Sequence, residues 1–337
     1  MKGLVYLLTI SVFICALSLA AFGQTIPVRH GFPAEDVGKR TVSLYVEGVT
    51  REVIFYRPPT IPANQAVPVV FAFHGTGGSG EVAYDDFGWK EKADREGFMA
   101  VFPSARRYRI FEETLVKNGQ VLTNVHRNTT KWNMFDLNEL LDPAYPNQQL
   151  YDDVKFVQAI LAVLKQNYTV DASRFYATGF SNGGAFTQRL LVQMSDVFAA
   201  YAICSSGRSF DQEDATQTNV YTSAPFQPRP VIQMIGEIDP KLNYAAKVEA
   251  FPLDETAATA GTATNSIMQG FVQLLGLPST YEYRRTTRAS TFHYGGTGAL
   301  TYDFLIVEGM RHIYPNGENF NFAAVDVFWP FLKQHSR

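Results

Sequence analysis

Cysteine is almost absent from this chain, with only Cys15 and Cys204 in 337 residues. A disulfide framework is therefore excluded, and stability has to come from a packed apolar core. Basic runs are equally scarce. The net charge is −3, and the densest cluster, Arg106, Arg107 and Arg109, is short enough to be a solvated loop, so nucleic acid is not an expected partner. No internal repeat or low-complexity block occurs. The glycines after His74 match neither G-x-x-x-x-G-K-[ST] nor a helix-opening G-x-G-x-x-G, which argues against a phosphate loop. Long apolar runs are missing too, except at the start. There Lys2 is followed by a mostly apolar stretch from Leu4 to Ala21 and by the small residues of Ala21-Phe22-Gly23. This pattern predicts a secretory signal over residues 1–23 and a single domain over 24–337. An uncleaved membrane anchor is the rival reading of the same run, while Ile14 before Cys15 is too bulky for a lipoprotein signal. Export to the exterior or the periplasm is the expectation, with no membrane contact after cleavage. Cys204 then remains alone, inside Tyr201-Ala202-Ile203-Cys204, as a buried small residue and not a nucleophile.

What is present is an alternation of strand-like and helix-like segments, the signature of an α/β protein with a mostly parallel sheet and helices on both faces. Val42 to Val46 and Val53 to Tyr56 predict an opening hairpin around Glu47-Gly48. Val67 to Phe73 is a continuous apolar run, as a strand buried on both faces requires. A helix is expected near Trp89 to Glu96 and a strand at Phe98 to Phe102. Residues 104–149 read as polar, aromatic and irregular, an insertion above the sheet. Val154, Val157, Leu161 and Leu164 recur at helical spacing behind Asp152 and Asp153, which suit a helix start. Further strands are expected at Arg174 to Thr178, Val231 to Ile235 and Tyr302 to Val307, and helices from Gly183 to Met194 and near Ile267 to Leu275.

The strongest local signal is Gly179-Phe180-Ser181-Asn182-Gly183-Gly184. It fits G-x-S-x-G, and a predicted buried strand runs into it while a predicted helix leaves it, the context a nucleophile elbow needs. So tight a turn demands neighbours without side-chain bulk, which Gly179 and Gly183 supply. A serine nucleophile needs a base, and the base needs an acid to orient it. Of the three downstream histidines, His335 is near the end and expected to fray, and His293 sits in a strand or lid. His312 follows the predicted strand Tyr302 to Val307 after a short turn and is the favoured base. Asp239 follows Val231 to Ile235 and precedes Pro240, which makes it the favoured acid; Glu237 is the main rival, and Asp254 lies further on. Oxyanion donors are expected from the backbone N–H of Asn182 and, after the strand ending in His74-Gly75, from that of Thr76, with His74 a structural member of the turn.

Together, His74-Gly75, the helix start at Asp152-Asp153-Val154, the block Val170 to Gly184 and the closing Glu308-Gly309-Met310-Arg311-His312-Ile313-Tyr314-Pro315 resemble secreted esterases of the polyhydroxybutyrate-depolymerase and feruloyl-esterase group, placed in carbohydrate esterase family one. The resemblance spans roughly Val67 to Tyr314. It implies an α/β-hydrolase fold and a carboxylic ester hydrolase working without metal or organic cofactor, with Ser181, Asp239 and His312 at the family's triad positions. The chain departs from that group at Thr76, where many relatives carry a disulfide cysteine, at Tyr314, where tryptophan is frequent, and in its long 104–149 insertion.

Candidate substrate contacts are the aromatics Trp132, Tyr244 and Tyr314, which suit stacking on a phenolic acyl group or a sugar ring as well as simple lid packing. The expected substrates are feruloyl or acetyl esters of plant polysaccharide, or short hydroxyalkanoate polyesters. Two other classes stay open from sequence: a secreted peptidase or amidase on the same fold, and a non-catalytic carbohydrate-binding relative.

Overall fold

A computed structural model describes residues 37–117, 119–135, 137–207, 224–295 and 299–337. The segment read as a signal, 1–23, lies outside them. The chain opens with β1 (Gly38–Val46) and β2 (Val49–Arg57), an antiparallel hairpin whose turn places Glu47 and Gly48 at φ 52° and 82°. Such φ values belong to a two-residue turn whose twist matches the flanking strands. Then come β3 (Val67–Phe73), α1 (Gly80–Asp86), α2 (Trp89–Glu96), β4 (Met99–Pro103), β5 (Arg107–Lys117), β6 (Gln120–Thr130), α3 (Leu137–Leu140) and α4 (Asp153–Asn167). The second half runs β7 (Val170–Phe180), α5 (Asn182–Gln193), β8 (Ala200–Cys204), β9 (Val231–Gly236), α6 (Pro240–Ala246), α7 (Glu255–Ala260), α8 (Thr262–Leu275), β10 (Glu282–Arg285), β11 (Ala289–Gly295), β12 (Thr301–Val307) and α9 (Ala324–Leu332).

Ten strands form one sheet in the order β1-β2-β4-β3-β7-β8-β9-β12-β11-β10. The central six, β4 to β12 in that order, are parallel, and antiparallel pairs close both edges. The apolar run of β3 is buried along its whole length because each face meets a different core. Val67, Val69, Phe71 and Phe73 join the cluster built with α4, α5 and α8, while Val70 and Ala72 join that of α1, α2 and α9. At roughly 1.5–3 kcal/mol for each large apolar side chain removed from water, such strands carry the fold.

One expectation for residues 104–149 needs correcting. The segment is not irregular: β5 and β6 form a regular two-stranded antiparallel ribbon, from Arg107↔Thr130 to Lys117↔Gln120. Most of β6 is exposed, so that strand shows no apolar period of two. The sequence signal that marks it is the turn dipeptide Asn118-Gly119. Tyr108 and Ile110 at its base make a separate small core with Leu137. Beyond that base β5 packs against α6, and the Gly119 turn comes up to the Arg311 guanidinium. The ribbon therefore arches from the loop after β3 across to the loops after β9 and β12.

His335 is not frayed. It is buried, its carbonyl accepts the Tyr176 hydroxyl at 2.9 Å, and its ring meets Phe331 edge-on.

Candidate active site

Ser181 sits where β7 turns into α5, with φ 55° and ψ −118°. That conformation is strained for a residue with a side chain and survives only because its surroundings over-determine it. The Ser181 N–H donates to the Cys204 carbonyl at 2.9 Å, and its own carbonyl accepts the Ala185 N–H at 2.9 Å. A Cβ at Gly179 would stand 2.1 Å from the Gly183 oxygen, and one at Gly183 would stand 2.2 Å from the Phe73 oxygen. Both glycines are thus required by close backbone approach. Cys204 lies buried beneath, and burial pushes its thiol pKa upward, away from nucleophilic use.

The structure brings Ser181, His312 and Asp239 together. His312 Nε2 is 2.8 Å from Ser181 Oγ, and its Nδ1 is 2.7 Å from Asp239 Oδ2. An ionised carboxylate can only accept, so it holds the proton on Nδ1 and leaves Nε2 free to accept from the serine hydroxyl. Asp239 is fully buried and caps α6: its Oδ1 accepts the N–H groups of Lys241 at 3.0 Å and Leu242 at 3.1 Å. Pro240 at the first helical position suits this start, since its missing N–H would have had no partner.

The loops carrying the acid and the base are stitched to each other. Glu237 N–H donates to Val307 O at 2.9 Å, Ile238 N–H to Met310 O at 3.2 Å, and Gly309 N–H to the Glu237 carboxylate at 2.8 Å. Glu237, the rival acid, thus braces the turn that precedes His312 instead of meeting the imidazole. Asp254 caps α7. His293 pairs with Asp303 across β11 and β12.

The backbone N–H groups expected to stabilise an oxyanion, those of Thr76 and Asn182, make no hydrogen bond to the described residues. His74 is a structural member of its turn. Its Nδ1 donates to Gly75 O at 2.7 Å, and its Nε2 accepts the Ala105 N–H at 3.0 Å. Burial drives its pKa down to about 4, so the ring stays neutral. A cleft of about 430 Å³ opens beside His312, lined by Thr76, Val82, Phe87, Phe180 and Ile313 among others.

The candidate substrate aromatics part company. Tyr244 is 49% exposed on α6, the helix that Asp239 caps. Tyr314 is nearly buried, stacked on Phe87 at 4.0 Å and accepting the Trp89 indole N–H at 2.9 Å. Trp132 is 0% exposed, stacked on Phe186 with ring centroids 5.0 Å apart. Trp132 is therefore closed off from the cleft, and the expectation that it stacks on substrate is corrected, whereas Tyr314 lies in the wall of the cleft beside His312. A tryptophan in a polar loop reads the same in sequence whether it faces the core or a ligand. Sequence reading also missed Thr130, whose role emerges only from the ribbon.

Among the described residues, no group of three or more His, Cys, Asp or Glu side chains is placed to hold a metal ion, and no helix is long and apolar enough to cross a membrane.

No family model matches the chain. It is similar to the bifunctional acetylxylan esterase/xylanase XynS20E of Neocallimastix patriciarum, 23% identical over 295 residues, which is 86% of this chain and 34% of that protein. Feruloyl esterase B of Thermothelomyces thermophilus is 26% identical over 154 residues, 46% of this chain and 43% of that protein. The chain thus spans less than half the length of either relative. Among solved structures, an acetyl xylan esterase from Aspergillus awamori superposes with a TM-score of 0.54 at 13% identity, covering 88% of this chain and 99% of that one. At that identity the likeness speaks to architecture, and with the strand order it gives this chain the α/β-hydrolase fold.

Proposed function

We propose that this protein is an exported carboxylic ester hydrolase in which Ser181 is the nucleophile, His312 the general base and Asp239 the orienting acid. The observation that carries the reading is the unbroken relay from Asp239 Oδ2 through both nitrogens of His312 to Ser181 Oγ, with links of 2.7 and 2.8 Å. Ser181 Oγ attacks the ester carbonyl carbon while its proton passes to His312 Nε2, and the carbonyl π pair moves onto oxygen. The N–H groups of Thr76 and Asn182 hold that alkoxide, and Asp239 stabilises the imidazolium. The intermediate collapses, the alcohol leaves with the proton from Nε2, and an acyl-serine remains. Water then repeats the sequence, giving the acid and free Ser181.

The substrate class we propose is an acetyl or feruloyl ester of plant polysaccharide. The esterase names carried by relatives that match 86% and 46% of the chain support this choice. The apolar wall of Val82, Phe87, Phe180 and Ile313 suits an acyl group with an apolar body. Residues 1–23 serve as the export signal, and 24–337 act as one catalytic domain.

The test is product analysis on acetyl-xylan, feruloyl-arabinoxylan and hydroxybutyrate oligomers, with Ser181→Ala as control. Release of acetate or ferulate by the wild type only is expected. Release of hydroxybutyrate alone would move the substrate to polyesters. Faster cleavage of nitroanilides than of matching nitrophenyl esters would replace the esterase reading with an amidase. Failure of a phosphonate to label Ser181 would remove the nucleophile assignment.

A further inference from the structure

The stretch that leaves β6, Thr130 to Asn133, runs between the two places that supply the oxyanion donors and is bonded to both. Toward the loop after β3, the Gly77 N–H donates to the Thr130 carbonyl at 2.9 Å, and the Thr130 hydroxyl donates to the Gly78 carbonyl at 2.6 Å. The Trp132 indole N–H donates to the His74 carbonyl at 2.9 Å. Toward the elbow, the Trp132 backbone N–H donates to Asn182 Oδ1 at 2.6 Å, and Asn182 Nδ2 donates back to the Trp132 carbonyl at 3.2 Å. The Asn182 amide thus pairs with the Trp132 backbone as a neighbouring strand would. Behind this contact the stretch is fixed again. Asp153, ion-paired with Arg51, accepts the Asn133 N–H at 2.7 Å, and Arg189 donates to the Asn133 carbonyl at 2.7 Å.

We propose that Trp132 is a positioning residue of the oxyanion hole: through its indole N–H and its backbone it holds the Thr76 and Asn182 segments in a fixed mutual orientation. The inference rests on the ester-hydrolase reading and deepens it. Donors lower the barrier only when they already point at the developing alkoxide, because reorganising them during reaction costs what they would have contributed. Here they come from two separate turns. Packing of Gly183 against Phe73 and His74 sets how close those turns lie. The ladder of β3 and β7, ending at Phe73↔Gly179, orients the strands that lead into the turns, and the Trp132 bonds carry that constraint into the turns themselves. Both polar ends of the clamp are buried, so each bond lost strands a partner away from water.

The test variant is Trp132→Phe, which keeps an aromatic ring against Phe186 and removes the donor to His74 together with part of the ring's volume, whose packing cost the Tm reads. Three quantities are read against the wild type: kcat per phosphonate-titrated site on nitrophenyl acetate, the inhibition constant of an alkyl trifluoromethyl ketone, and Tm. The ketone adds to a serine hydroxyl and places an alkoxide in the hole, so it senses the donors without turnover. Loss of one buried hydrogen bond and the donor alignment it supports predicts about a tenfold fall in kcat. KM should stay within about twofold, and the inhibition constant should rise by the same factor as kcat falls.

A purely structural role would lower Tm and yield while leaving kcat per titrated site and the inhibition constant within about threefold of wild type. That result, or a fall in kcat without weaker inhibition, overturns the proposal. Should Trp132→Phe fail to fold, Thr130→Val deletes the bond to Gly78 from the same stretch and is judged by the same outcomes. A wild type that neither turns over esters nor labels at Ser181 would instead overturn the ester-hydrolase reading, and the proposal with it.

Discussion

Asparagine at position 239 separates two duties that one carboxylate performs. Oδ1 accepts the two N–H groups that open α6, and Oδ2 faces His312 Nδ1. In Asp239→Asn the amide oxygen goes to the helix end, where asparagine caps as well as aspartate. The amide nitrogen must then face Nδ1, and two donors cannot share a contact of 2.7 Å. His312 would shift its proton to Nε2, the nitrogen that has to accept from Ser181. A relay with its imidazole in the wrong tautomer loses about 10⁴-fold in kcat, about 5 kcal/mol of barrier. Folding stability should change by less than about 1 kcal/mol, because the cap persists. Steady-state hydrolysis of nitrophenyl acetate at pH 7.5, normalised to folded protein by a thermal melt, reads both quantities. Glu237→Gln is the control, since that side chain braces the Gly309 turn and should hold kcat within about threefold. An Asp239→Asn enzyme within tenfold of wild type, or a Glu237→Gln enzyme as dead as it, would refute the assignment of the acid.

Buried His74 makes the fold acid-sensitive. Its folded pKa, near 4, lies below the unfolded value, so the unfolded chain binds the extra proton. Its contribution is fully present above about pH 6.5 and is lost as pH falls toward 4, about 3 kcal/mol over the window. Urea melts of wild type and His74→Gln between pH 4 and 7 should show a slope shallower by up to one proton in the variant; equal slopes would contradict the buried neutral ring. Arg51→Met leaves Asp153 buried without its ion-pair partner, and a loss of about 3–5 kcal/mol in denaturant stability is expected, whereas a loss below 1 kcal/mol would show the site to be hydrated. Gly183→Ala drives a Cβ to 2.2 Å from the Phe73 oxygen, so kcat/KM should fall at least about 100-fold through displacement of the elbow.

Much of this molecule is legible in its sequence. Val67 to Phe73 announced a doubly buried strand because nothing polar interrupts it, and Trp89 to Glu96 fell on α2 residue for residue. The order Ser181, Asp239, His312 could be read because each follows a recognisable strand, and those three side chains do meet. Other elements escaped for physical reasons. β8, Ala200–Cys204, follows α5 with no glycine or proline between them, so in the sequence it reads only as the apolar surroundings of Cys204. Burial alternates along the base of the β5 and β6 ribbon, but the inward positions of β6 are Val125, Arg127 and Thr129, so little of that alternation is apolar and the Asn118-Gly119 dipeptide is the clearer mark in the sequence. Trp132 reads in sequence as a candidate substrate contact, since aromatic character says nothing about direction. Its exclusion from solvent is a property of a neighbour distant in the chain, Phe186.

The loop stitching between Glu237 and Gly309 has a temporal side. His312 reaches Ser181 only when β12 lies beside β9, and that pairing joins segments about seventy residues apart in the chain. Until then the serine on its strained turn has no base within reach. On the proposed reading, a chain in which β12 has not yet docked therefore carries an unarmed nucleophile. On that reading, the appearance of turnover on a chromogenic ester would report that β12 has docked beside β9.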